Sequence, residues 1–171
     1  MCSTLLVQHR DSVLMKIIAF ALAASLLSTT AYADIHVRFD EGAPKDSFTI
    51  ENSGTCVFQS ALVSIDLSKS KAGLIFDVTD KGAGVEVFQP FEFTSGAKFV
   101  ELVPDVKDGD SSIDLSIDSL TAAQNVAFTI DVDDTMGARE ITVNGSEIEG
   151  AEVRMKVDGK TTTGLFGIDG K

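Results

Sequence analysis

Residues 125–134 read Asn-Val-Ala-Phe-Thr-Ile-Asp-Val-Asp-Asp. From Val126 to Asp133, Val126, Phe128, Ile130 and Val132 alternate with Ala127, Thr129, Asp131 and Asp133. Side chains on a strand point alternately to opposite faces, so a period of two marks a strand with one apolar face. The same period recurs outward in both directions. Ile35, Val37 and Phe39 alternate with His36 and Arg38, and Phe48 and Ile50 alternate with Thr49 and Glu51. Leu62–Leu67, Leu74–Val78, Val85–Phe88 and Ile113–Ile117 read as further strands. Ile141 and Val143 lead into Asn144-Gly145, a hairpin-turn signal. Ile148 is followed by Val153, Met155 and Val157, and Thr161–Lys171 is one more strand or a tail.

Turn formers separate these runs: Glu41-Gly42-Ala43-Pro44, Asn52-Ser53-Gly54, Lys81-Gly82-Ala83-Gly84, Asp108-Gly109-Asp110 and Asp158-Gly159-Lys160. Ser119–Gln124 has room for a single helical turn. Short strands at this spacing, with polar turns, predict an all-β fold, an antiparallel sandwich or barrel of about 8–10 strands. No long amphipathic helix and no internal repeat is visible.

The amino-terminal fifth of the chain has a different character. Lys16 precedes an apolar run, Ile17–Leu27, and then Ser28-Thr29-Thr30-Ala31-Tyr32-Ala33. This is the order of a signal peptide: a charged start, an apolar segment and a small-x-small cleavage site. The apolar run is well short of the roughly 20 residues that span a bilayer. Residues 1–14 read as a mis-assigned start and 15–33 as a signal peptide. Residues 34–171 then form a single exported domain, periplasmic or extracellular, with no membrane span once the leader is cleaved.

Residues 34–171 carry 25 acidic and 12 basic side chains, a net charge of −13. Such a surface repels nucleic acid and attracts cations. Cys2 falls within the first segment, which leaves Cys56 alone and unable to form an intrachain disulfide. Trp is absent, and the one Tyr, Tyr32, lies in the leader. A sugar-binding face would therefore rely on Phe88, Phe91 and Phe93.

Asp131, Asp133 and Asp134 form the sharpest local feature. Asp131 and Asp133 share one face of a strand, and Asp134 begins the turn. Bunched carboxylates suit Ca²⁺, which takes six to eight oxygens, with Arg139 as the competing protein cation. Asp105, Asp108 and Asp110 form a second acidic loop. Neither is an EF-hand: counted from Asp131 the sixth position is Met136 and the twelfth Thr142, and counted from Asp108 the sixth is Ile113. Gly82-x-Gly84 is a turn rather than a dinucleotide fingerprint, because Val87 occupies the third glycine position. One His beyond the leader, His36, is too few for a catalytic triad or a zinc site, so no catalytic residue is assigned. Paired carboxylates for glycoside cleavage remain a minor alternative.

Three stretches resemble the bacterial "aggregation factor core" proteins: residues 39–54 (FDEGAPKDSFTIENSG), 72–93 (AGLIFDVTDKGAGVEVFQPFEF) and 126–153 (VAFTIDVDDTMGAREITVNGSEIEGAEV). The resemblance implies an Ig-like sandwich, placement outside the cell and Ca²⁺-dependent association. The leading expectation is thus an exported, non-enzymatic interaction or adhesion domain. Its partner would be an extracellular or envelope protein or polysaccharide, or a second copy of itself. A periplasmic carbohydrate- or small-ligand-binding module is the alternative.

Overall fold

The structure, a computed structural model, describes residues 34–171 apart from 83, 85–87 and 137–141. The expected start and signal peptide lie outside the described residues, as do Arg139 and most of the expected strand at Val85–Phe88. The chain is an antiparallel β-sandwich, as the alternation predicts. Its strands are β1 (Ile35–Asp40), β2 (Asp46–Asn52), β3 (Phe58–Asp66), β4 (Ile75–Asp77), β5 (Glu92–Ser95), β6 (Ser112–Leu120), β7 (Asn125–Asp133), β8 (Glu152–Val157) and β9 (Lys160–Leu165). Among the described residues no helix is long and apolar enough to cross a membrane. The helical content there is one 3₁₀ turn, Ala97–Phe99.

One sheet runs β1-β2-β7-β4, with β5 also paired to β7, and the other runs β6-β3-β8-β9. Strand β7 is the axis of the first sheet. Its residues 125–130 pair with β2. Along its other edge, residues 127–129 pair with β5 and residues 131–133 with β4. The apolar parity of each strand faces the partner sheet. Phe48, Ile50, Val126, Phe128 and Ile130 from one sheet are buried, as are Val63, Ile65, Ile113, Leu115 and Ile117 from the other. Phe48 sits among aromatic rings, stacked on Phe128 at 5.2 Å and tilted against Phe39 at 5.1 Å. Phe76 and Phe166 meet its edge at 6.4 Å.

Two local expectations are corrected, and the open one at the carboxy terminus is resolved. Asn144-Gly145 does turn, yet no described residue between β7 and β8 is a strand, so it closes no described hairpin. The Asn144 side chain satisfies its own turn by accepting the Ser146 N–H, while the Glu147 carboxylate accepts the Asn144 N–H. Side-chain bonds of this kind compete with ladder formation. Residues 119–124 hold no helical turn. β6 continues to Leu120, and a tight turn with Ala123 at φ 60° and Gln124 N–H donating to Thr121 O carries the chain across to β7. The carboxy-terminal stretch does form a strand, β9, reached through Asp158 and Gly159, both at positive φ. Consecutive positive φ values are what a two-residue hairpin loop requires.

Asn52 ties the ends of the two sheets together. It is fully buried, and its Nδ2 donates to Cys56 O at 2.7 Å and to Leu120 O at 2.9 Å. Its Oδ1 accepts the Gly54 N–H at 3.0 Å. Asn52→Ala would remove the Nδ2 donor from the Cys56 and Leu120 carbonyls and one of the two acceptors of the Gly54 N–H, so a loss of about 2–3 kcal/mol is expected in urea unfolding. Phe48→Ala should cost about 3–5 kcal/mol by the same measurement. Destabilisation below 1 kcal/mol in either variant would contradict the packing described.

Candidate functional site: a buried acidic cluster and an edge groove

Strand β4 is only three residues long, and its register on β7 sets Ile75 opposite Asp133, Phe76 opposite Val132 and Asp77 opposite Asp131. Asp77 and Asp131 are therefore a like-charged cross-strand pair, an arrangement that destabilises a sheet unless something compensates. Asp133 lies two residues along β7 on the same face as Asp131. One carboxylate oxygen from each of Asp77, Asp131 and Asp133 falls within 4.8 Å of the other two. The site is not solvated: the three residues are 1%, 4% and 1% exposed.

Two glycines after β4 come close to these carboxylates and their neighbour Asp108. At Gly84 a Cβ would overlap Oδ2 of Asp77 and come within 2.5 Å of Oδ2 of Asp133, and at Gly82 it would overlap Oδ2 of Asp108. Glycine at both positions lets the backbone lie directly on the carboxylates. Oδ1 of Asp108 accepts the N–H groups of Val78 and Thr79, which holds the start of this connection. Asp46 approaches from β2, but its carboxylate is already engaged by the Gly42 and Val132 N–H groups at 3.1 Å each. No donor among the described residues reaches either oxygen of Asp77 or Oδ2 of Asp131.

The sequence-predicted sites are redistributed by this geometry. Asp131 and Asp133 are brought together, and Asp134, though buried, is not one of the three converging groups. The loop of Asp105, Asp108 and Asp110 does not form a site of its own. Asp105 is exposed, Asp110 accepts the Lys107 N–H within its turn, and Asp108 joins the Asp77 cluster. Asp77 was missed because it lies in an apolar run, Leu74–Val78. A charged residue inside so short an apolar run was the available signal.

A second feature opens on the other side of the sandwich. A groove of about 570 Å³ runs between β1 and β2 on one side and β8 and β9 on the other, within the size range of ligand pockets. Ile35, Val37, Val153, Met155 and Leu165 give it an apolar lining, and Thr49, Thr162 and Thr163 add hydroxyls. Asp34, Glu51, Arg38 and Lys171 balance in charge there. Phe91 and Phe93, the expected sugar platform, pack against the core instead, with Phe91 at 4.8 Å from both Phe93 and Phe128; Phe88 is half-buried.

No protein-family model matches the chain, and no curated protein matches it. Solved structures similar to it include a GH20 exo-β-N-acetylglucosaminidase from Vibrio harveyi, at 11% identity and a TM-score of 0.40 over 81% of this chain. This chain spans only 18% of that enzyme's length. The carbohydrate-binding module CBM3b of cellobiohydrolase 9A from Clostridium thermocellum matches at 13% identity and a TM-score of 0.37, over 77% of this chain and 96% of that one. A biomass-sensing module from the same organism matches at 9% identity and a TM-score of 0.35, over 82% of this chain and 99% of that one.

Burial and mutual repulsion raise the pKa values of the cluster. Desolvation, then the carboxylates of Asp108 and Asp133, push Asp77 up to about 8. Desolvation and Asp133 push Asp131 to about 7, and desolvation, reinforced by Asp131 and Asp133, pushes Asp46 to about 7. In the unfolded chain these groups ionise near 4. Between about pH 4 and 8 the folded state therefore holds more protons than the unfolded one, and stability falls as pH rises through that window. In metal-free buffer the melting temperature should drop between pH 5 and pH 8.5, and Asp131→Asn should flatten the slope. A slope equal to wild type in that variant would show that the cluster does not carry the effect.

Proposed function

We propose that this chain is an exported, non-catalytic binding module, and that its ligand is an extended polysaccharide laid in the groove between β1 and β9. The groove carries the reading. Its apolar lining suits the C–H faces of sugar rings, and Thr49, Thr162 and Thr163 offer hydroxyls for hydrogen bonding. The net charge of −13 over residues 34–171 disfavours polyanions, so the fitting polymer is neutral. The leader-like stretch at 15–33 supports export.

A second reading, adhesion through a protein partner, has one specific observation in its favour. Strands β1 and β9 each pair on one side only among the described strands, and both border the groove. Free sheet edges can accept an added strand.

Affinity electrophoresis through gels containing neutral polysaccharides tests the first reading. Retardation of the wild type is expected, and Met155→Glu should weaken it by at least about tenfold, the loss typical of a central contact. If no neutral polysaccharide retards the chain, while an envelope protein binds and Met155→Glu abolishes that binding, the adhesion reading replaces it.

A further inference from the structure

We propose that Asp77, Asp131 and Asp133 together bind one Ca²⁺ ion, which clamps strand β4 onto strand β7. The site is independent of the ligand groove and lies on a different part of the first sheet.

Asp77 is 1% exposed, and no N–H or hydroxyl among the described residues reaches its oxygens; the groups that face them are the carboxyls of Asp108 and Asp133, and burying carboxylates against one another is costly. Oδ2 of Asp131, directly across the ladder, likewise meets no donor among the described residues. A cation between them satisfies both and turns the like-charged pair from a defect into a coordination site. The Gly84 backbone closes over the carboxylates where any side chain would collide with Asp77, so the turn is shaped to the cluster.

The donor set selects the ion. All three ligands are carboxylates, and hard cations take oxygen ligands. Separations of up to 4.8 Å between the three oxygens fit one ion with metal–oxygen distances near 2.4 Å. Mg²⁺ demands a tighter octahedron and sheds its water reluctantly. Asp46 is a supporting neighbour rather than a ligand, because its oxygens already accept two backbone N–H groups.

The test uses the full chain, stripped with chelator and titrated with CaCl₂ by calorimetry and by melting temperature. The expected result is one ion per chain and a rise in melting temperature, with Mg²⁺ weaker. Asp77→Asn and Asp131→Asn should each reduce Ca²⁺ affinity by at least about tenfold, since ligand charge tunes such sites. In metal-free buffer the same two variants should melt higher than wild type, because each removes a repelling carboxylate. A purely structural aspartate would give the opposite sign. Gly84→Ala reads the site without removing a carboxylate and should also lose affinity, while Asp110→Asn should bind as wild type. No heat and no melting shift at about 10 mM Ca²⁺, well above the dissociation constants of extracellular modules, would overturn the proposal. So would a Ca²⁺-induced shift that survives in Asp77→Asn.

Discussion

Strand β7 is paired along both edges, and its two faces make opposite demands. One face contributes Val126, Phe128, Ile130 and Val132 to the inter-sheet core, where burial of apolar surface supplies the main folding drive. The other ends in Asp131 and Asp133, which the register places against Asp77. The two cannot be adjusted separately. A one-residue slip of β4 would turn Phe76 out of the core, because side-chain parity reverses with each residue. The aromatic packing of Phe76 against Phe48 thus holds Asp77 opposite Asp131.

This coupling explains why the acidic cluster is dry although the chain is rich in surface carboxylates. Most acidic side chains lie on outward positions of strands or in turns and are solvated. Asp66 is paired with Arg154, and Glu92 with Lys45, in partly or fully exposed ion pairs of the ordinary kind. Asp77, Asp131 and Asp133 are different because they are buried, with the Gly84 backbone lying against the carboxylates of Asp77 and Asp133. The glycines at 82 and 84 allow that close approach, and Asp108 anchors the start of the connection through the Val78 and Thr79 N–H groups.

The opposite side of the sandwich is governed by a different constraint. Strands β1 and β9 end their sheets. Exposed edges invite pairing with other chains unless they are charged or covered. β1 carries His36 and Arg38, and every residue of β9 is exposed, with Lys160 and three threonines among them. Between these polar edges the lining stays apolar, which leaves a groove instead of a closed seam. The groove and the cluster therefore have separate causes, one in how the sheets end and the other in how β4 pairs with β7.

Much of the fold was legible in the residues themselves. The sequence pattern placed β1, β2, β3, β4, β6, β7 and β8 and the all-β class, because strand parity is a local property that burial of one face imposes on the sequence. Asp158-Gly159 likewise marked the turn into β9. The short β5 and the non-hairpin turn at Asn144-Gly145 were not legible, since each depends on which partner strand is within reach. The cluster divided along the same line. Asp131 and Asp133 were visible as a pair because they share parity on one strand. Asp77 is 54 residues distant from Asp131 in sequence, and only the β4–β7 register brings the two together. Sequence by itself determined which faces are apolar, since that follows from a period of two. Tertiary structure alone decided which carboxylates meet and which are shut away from water, because strand pairing and burial rest on long-range contacts that no local pattern encodes.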